Sequence, residues 1–175
     1  MTEAQLSNAM DAYGSTVYRL AMTRMQNIAD AEDVYQEVFL RLWKQAAEDW
    51  DGDRAKAWLI RTTLNRCADL HRFRLRRPVL SFAEIPDLAQ PEDESRELWE
   101  AVSRLPEKAR TAVHLYYAEG YSAEEISQLM HIPAATVRTR LRRARKQLKE
   151  LLGGIDDETC VSRSDGTNFG PQRAE

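Results

Sequence analysis

Arg138, Arg140, Arg142, Arg143, Arg145, Lys146 and Lys149 crowd one stretch of the chain, and the only acid near them is Glu150. A guanidinium is a planar fork of donors that matches two acceptors on one guanine, or the oxygens of a phosphate. The chemistry these residues suggest is therefore recognition. A second basic run, His71-Arg-Phe-Arg-Leu-Arg-Arg77, has no acid after Asp69 and sets Phe73 among its arginines. Helix-terminal arginines favour the macrodipole, which explains one or two of them but not the whole run. No catalytic constellation stands beside these blocks. The carboxylates are scattered, and neither a glycine-rich phosphate loop nor a nucleophile–base motif occurs, so no enzyme and no cofactor is expected. Cys67 and His71 stand four apart, but a zinc site needs more ligands, and no metal is expected either.

The elements that position the cations can be read around them. Ser122 followed by Glu125 is a capping box, which predicts a helix from Ala123 with Ile126, Leu129 and Met130 on its apolar side. His131-Ile132-Pro133 breaks it, because a residue before proline is pushed out of the α region. Val137, Leu141, Ala144, Leu148 and Leu151 then form one stripe of a longer helix. Arg138, Arg142, Arg145 and Lys149 occupy its other side, with Arg140, Arg143 and Lys146 on the flanks. A short helix, a tight break and a long helix with a basic outer face make a helix-turn-helix pattern. A charged stripe is by default a solvated face. Here no interleaved acid can neutralise it by i,i+4 pairing, and Ala134, Ala135 and Thr136 leave its start slim enough to approach a groove. DNA binding is the better reading.

Charge is distributed in blocks. The 175 residues carry a net −3, but residues 54–80 hold 8 basic and 1 acidic side chains, and residues 134–152 hold 7 and 1. The segments 1–53 (4 basic, 10 acidic) and 81–133 (4 and 11) are strongly acidic. Two basic blocks in an acidic background predict two phosphate-facing elements.

Helical periodicity recurs along the whole chain, and no strand-like alternation is sustained. Leu6, Met10, Tyr13, Val17, Leu20 and Arg24 step as a first helix; Asn27 to Asp30 reads as a turn with Asp30 as N-cap. From Ala31 to about Gln45 a second helix is apolar on two rows, Val34, Val38, Leu42 and Tyr35, Phe39, Trp43, with Asp33, Gln36, Glu37, Arg41 and Lys44 beside them. That pattern fits either a fully surrounded central helix or a docking face edged with charge. Trp50 to Asp53 reads as a loop, and a third helix follows through Arg77 with Ala57, Ile60, Leu64, Cys67 and His71 inward. Pro78, Pro86 and Pro91 punctuate an acidic, extended linker. Beyond it Leu98, Val102 and Leu105 suggest a short helix, Pro106 starts another at its first position, and Gly120 closes that one. Gly153-Gly154 ends the basic helix, and the polar remainder reads as disordered. The expected fold is all-α: residues 1–77 as one small helical module, 78–94 as linker, 95–152 as a helix-turn-helix module and 153–175 as tail. There is no leader and no apolar run of membrane-spanning length, which predicts a reduced, cytoplasmic protein without membrane insertion.

Four stretches resemble one family. They are Asp30 to Trp43, Ala57 to Asn65, Leu105-Pro-Glu-Lys-Ala-Arg110, and Gly120 to Ile126 running on through Arg145. In order and spacing they are similar to sigma-70 factors of the extracytoplasmic-function (ECF) type, which keep only the second and fourth sigma regions. The sequence departs from the pattern at His131, where the family usually has Gly, Asn or Asp in the turn; a positive φ there would strain it.

The resemblance implies a sigma factor that binds core RNA polymerase and directs promoter-specific transcription initiation. Asp33, Gln36, Glu37, Phe39 and Arg41 would dock on the polymerase. Trp50, Asn65, Arg72, Arg74, Arg76 and Arg77 would take the melted −10 element, with Asn65 near a pocket for a flipped-out base. Thr136, Arg138, Thr139, Arg142, Arg143 and Arg145 would read or grip the duplex −35 element. An anti-sigma factor is an implied partner. Two other readings stay open: a LuxR-like helix-turn-helix regulator that works without polymerase, and an inactive sigma-like interaction protein.

Overall fold

Thr2 begins the described chain by capping its first helix: its hydroxyl accepts from the Gln5 amide at 3.3 Å, and the Gln5 side chain accepts from the Thr2 amide at 2.8 Å. The computed structural model describes residues 2–45, 52–76 and 93–153. Within them lie α1 (Glu3–Met25), α2 (Ile28–Lys44), α3 (Gly52–Arg76), α4 (Asp93–Ser103), α5 (Glu107–Val113), α6 (Ala123–Met130) and α7 (Ala134–Leu151), and no strand. The protein is all-α, as expected. Nearly all of the linker, from 78 to 92, and the tail beyond Gly153 lie outside the described residues. α4 already starts at Asp93, inside the segment assigned to the linker.

Several boundaries differ from the sequence reading, each for a local reason. Gln26 turns the chain in the left-handed region (φ 51°), and Asn27, not Asp30, is the N-cap of α2; its side chain accepts from the Asp30 amide at 3.0 Å. Asp30 therefore sits in the first turn, where its carboxylate meets the positive end of the helix dipole. α3 begins at Gly52, inside the predicted loop, and Pro106 is the N-cap of α5 rather than its first residue. α5 runs on into a π-helical turn, His114–Ala118, that periodicity alone does not announce.

The first three helices form a bundle around Val17, Ala21, Val34, Val38, Leu42, Leu59 and Cys67. Gly14 lets α1 and α2 close up. A Cβ there would sit 2.9 Å from the Tyr35 hydroxyl, and Tyr35 is held in place by Tyr18 (edge-on, 6.3 Å) and Phe39 (4.8 Å). The helix-turn-helix core comprises Leu105, Ala112, Leu115, Ile126, Val137, Leu141 and Ala144. Leu20, Ile60 and Leu64, all from the first bundle, belong to that second core as well. α1 packs on α5 and α3 on α6. The sequence suggests modules joined by a linker; the structure also packs them face to face. Each of those three side chains contributes roughly 1.5–3 kcal/mol if fully withdrawn from water, so the docking is substantial.

Arg110 stitches the junction. Only 6% exposed, it donates to the carbonyls of Thr23, Ser103 (2.8 Å), Leu105 (2.9 Å) and Arg24 (3.4 Å). Thr23 and Arg24 lie in the last turn of α1, and Ser103 ends α4. One guanidinium thus serves C-terminal carbonyls of two helices, at the negative end of each dipole.

Candidate nucleic-acid interface

The basic helix is held by its apolar stripe. Val137 and Ala144 are wholly buried and Leu141 nearly so, while Leu148 is half-buried. Leu151, placed on the same stripe by periodicity, is exposed, because the stripe outruns the core it faces. The break before α7 uses His131 in the left-handed region (φ 52°), with its amide and that of Ile132 (3.1 Å) both donating to the Ser127 carbonyl. The strain expected of a non-glycine residue is therefore present, about 1 kcal/mol for such a position.

Arg142, Arg143 and Arg145 are exposed, and α7 turns them to solvent together. Arg138 is exposed too, but it pairs with Glu124 in the first turn of α6. Both side chains of that pair are more than half exposed, so the bond is weak. Thr136 and Thr139 are half-buried rather than fully outward; the Thr139 hydroxyl donates to the Ala135 carbonyl at 2.9 Å. Arg140 is half-buried, and its Nη1 has no partner among the described residues.

On α3, Asn65 is exposed, and so is Arg72, which lies seven residues on and hence on the same side. Arg61, exposed one turn before Asn65, extends that row and was not singled out from sequence, although its i,i+4 spacing would have shown it. Arg72 pairs with Asp69 at 3.3 Å on the surface. Arg74, expected on DNA, instead pairs with the nearly buried Asp30 carboxylate, clamping α3 onto the start of α2. Trp50 and Arg77 lie outside the described residues, as does the Arg76 side chain.

α2 presents Asp33 and Gln36 to solvent. Glu37 accepts from Arg41 at 2.9 Å, and that bond holds the Glu37 carboxyl below its ordinary value. Phe39 differs from expectation. It is 4% exposed, buried by the bundle, and can offer a partner only its edge. The large apolar groups that α2 does show are Leu40 and Trp43. With Leu6, Met10, Tyr35 and the edge of Phe39 they line an open groove of about 630 Å³ between α1 and α2. Apolar surface beside Asp33 and Gln36 is the composition of a protein-docking face.

Among the described residues no three His, Cys, Asp or Glu side chains gather as a metal site. Burial pushes the Cys67 thiol up to about 12, so it is an inert core group. No helix among the described residues is long and apolar enough to cross a membrane.

Comparison with known proteins bears on these surfaces. A family model described as "Sigma-70 region 2" matches residues 9–77, and one described as "Sigma-70, region 4" matches residues 95–148. The chain is 34% identical over 161 residues to the ECF RNA polymerase sigma factor SigE of Mycolicibacterium smegmatis, covering 86% of this chain but only 62% of SigE. To the ECF RNA polymerase sigma factor SigM of Bacillus subtilis it is 31% identical over 155 residues, covering 83% of this chain and 94% of SigM. Its fold is similar to that of the sigma factor RpoE from Bartonella quintana, solved in complex with the anti-sigma factor NepR. The TM-score is 0.71 at 24% identity, over 85% of this chain and 97% of that one.

Proposed function

Because the chain belongs to the extracytoplasmic-function group of the sigma-70 family, we propose that it binds core RNA polymerase and directs promoter-specific initiation of transcription. The observation that carries this reading is α7. Three buried apolar residues pin one side of it, and Arg142, Arg143 and Arg145 face solvent together on the other. Such a helix enters a major groove, where its forward residues reach base edges and the rest grip phosphate. Arg138, one turn ahead of Arg142, takes a base or phosphate of the −35 element. The exposed row Arg61, Asn65 and Arg72 on α3 takes the −10 strand, and the domain division at 77, 94 and 152 follows from these two jobs.

The polymerase docks on α2 at Asp33, Gln36, Glu37 and Arg41. The groove beside them, with Leu40 and Trp43, supplies the apolar part of that interface. An anti-sigma factor is a natural partner, as NepR is for the Bartonella protein. The work is binding rather than catalysis, done in the cytoplasm. A regulator acting without polymerase is disfavoured, because the family match extends over 9–77 as well as the helix-turn-helix.

Adding the full chain to core RNA polymerase and mapping transcripts genome-wide tests the reading; no promoter-directed transcripts would overturn it. Asp33→Lys with Glu37→Lys should abolish co-elution with core while helicity is retained. Co-elution at the wild-type level would remove the docking assignment alone.

A further inference from the structure

Arg138 differs from the other arginines that α7 turns to solvent. Among the described residues Arg142, Arg143 and Arg145 meet no carboxylate, whereas Arg138 Nη2 donates to Glu124 Oε1 on α6. A merely solvated face needs no such pairing, and an exposed pair adds little to stability. Its value lies in where it holds the guanidinium.

Both partners stand on anchored backbone. Val137 and Leu141, on either side of Arg138 in the chain, are buried, and so are Ala123 and Ile126 on either side of Glu124. The start of α6 is fixed by its reciprocal cap. The Ser122 amide donates to Glu125 Oε2 at 2.8 Å, and the Glu125 amide to the Ser122 hydroxyl at 3.2 Å. That cap occupies Glu125 and leaves Glu124, the other first-turn acid, to Arg138. Glu124 also stands at the positive end of the α6 dipole, which favours its charge there. Arg138 lies just past the first turn of α7, and a helical side chain leans back toward the N-terminus. Its guanidinium is therefore carried toward the slim residues Ala134 and Ala135 that open the helix.

We propose that Glu124 is a positioning residue for base recognition, holding the Arg138 guanidinium in one orientation while its remaining donors take a guanine of the −35 element. This rests on the promoter reading above and adds the residue that sharpens it. Nη2 carries a second hydrogen, which with one on Nη1 forms a fork that matches guanine O6 and N7. Without the carboxylate, Arg138 gives up its rotamer freedom only on binding, and immobilising so long a side chain costs about two- to tenfold in affinity. Held by Glu124, it is ordered beforehand. A duplex closing over the pair also removes water from it, which strengthens the attraction between the two charges. Glu124 has an opposing effect, since its charge repels phosphate. That repulsion weakens binding to every sequence alike and leaves preference at a single base pair untouched. Preference and total affinity therefore separate the two effects.

The test uses the full chain bound to core RNA polymerase and a pool of promoter duplexes randomised across the −35 element. The parent should select a motif with a guanine for which Arg138→Ala loses preference. Glu124→Ala should lower preference at that same pair by about two- to tenfold. The other pairs should stay as they are, and total binding should be unchanged or stronger. Glu124→Gln keeps an acceptor oxygen on the same stem and should retain more of the preference than Glu124→Ala, although it relieves the same repulsion. In an Arg138→Ala background, Glu124→Ala should change nothing further at that pair. Both side chains are exposed, so all variants should keep the parental helicity by circular dichroism. Parental preference in Glu124→Ala overturns the proposal. A loss spread evenly over the motif does so too, as does a sharper preference, which would make Glu124 a competitor of the base. A parent that selects no −35 motif at all would instead overturn the promoter reading.

Discussion

Arg110→Met should destabilise the protein more than any surface substitution, because one side chain closes the C-termini of two helices. Met keeps most of the buried stem volume and removes the donors. Four carbonyls lose a charged partner: Thr23, Ser103, Leu105 and Arg24. A hydrogen bond from a charged donor is worth about 1.5–3 kcal/mol net, so a plain sum would be about 6–12. That sum is too large for three reasons. The bond to Arg24 is long at 3.4 Å. The Ser103 carbonyl keeps a second donor, the Gln26 side-chain Nε2 at 2.8 Å. Burying the guanidinium was itself unfavourable, and the same burial pulls Arg110 below its ordinary pKa, with Glu107 opposing. A net loss of about 3–5 kcal/mol follows. At 2–4 °C per kcal/mol for a chain of this size, the melting temperature should fall by roughly 10 °C. Arg110→Lys should recover little, since one ammonium cannot span four carbonyls on two helices. Thermal unfolding of the full chain followed by circular dichroism is the assay. A melting point for Arg110→Met within about 2 °C of the parent would refute the double-cap account.

Arg138→Ala should relax base preference within the −35 element by roughly tenfold at one pair, as the loss of a bidentate guanine contact predicts; selection from a randomised pool checks it, and an unaltered motif refutes it. Removal of a phosphate grip would instead weaken all sequences alike and flatten the salt slope by about one. His114 makes stability depend on pH. Burial pulls its pKa below 6.5, helped by Arg19 and opposed by Glu119, so the folded state favours neutral imidazole. The unfolded chain then binds the extra proton first. Stability should be full above about pH 6.5 and decline as pH falls below it, by at most about 1.4 kcal/mol per unit. His114→Gln should lessen that decline, as measured by melting temperature between pH 7.5 and 5.5; parallel curves for the two proteins would count against it.

What the sequence discloses about this molecule is mostly local. The Ser122–Glu125 capping box places the start of α6 correctly because its two partners are three residues apart and reciprocal. The α2 cap is harder, since Asn27 and Asp30 are equally good caps. The choice falls to Gln26, whose left-handed turn ends α1 and leaves Asn27 at the threshold. Phe39 shows the reverse limit. Four residues after Tyr35 it lies on the row a partner would use, and only the packing of α1 against α2 reveals that this row turns inward at its middle.

The contact between the bundles is the least legible feature, because polar residues carry much of it across long sequence separations. Lys56 and Glu119, or Arg24 and Glu107, each look like solvated surface groups within their own helices, and no periodicity links them. One signal was nonetheless present on α3. Leu59 and Cys67 face the first bundle's core, while Ile60 and Leu64 face the other, so the helix is apolar over a wider arc than one neighbour needs. A helix buried on so broad a face sits between two partners. For α3 the second partner is the helix-turn-helix, and the row it leaves exposed, Arg61, Asn65 and Arg72, is the one available to DNA. The same helix thus joins the bundles on one side and leaves on the other the exposed row proposed above for the −10 strand.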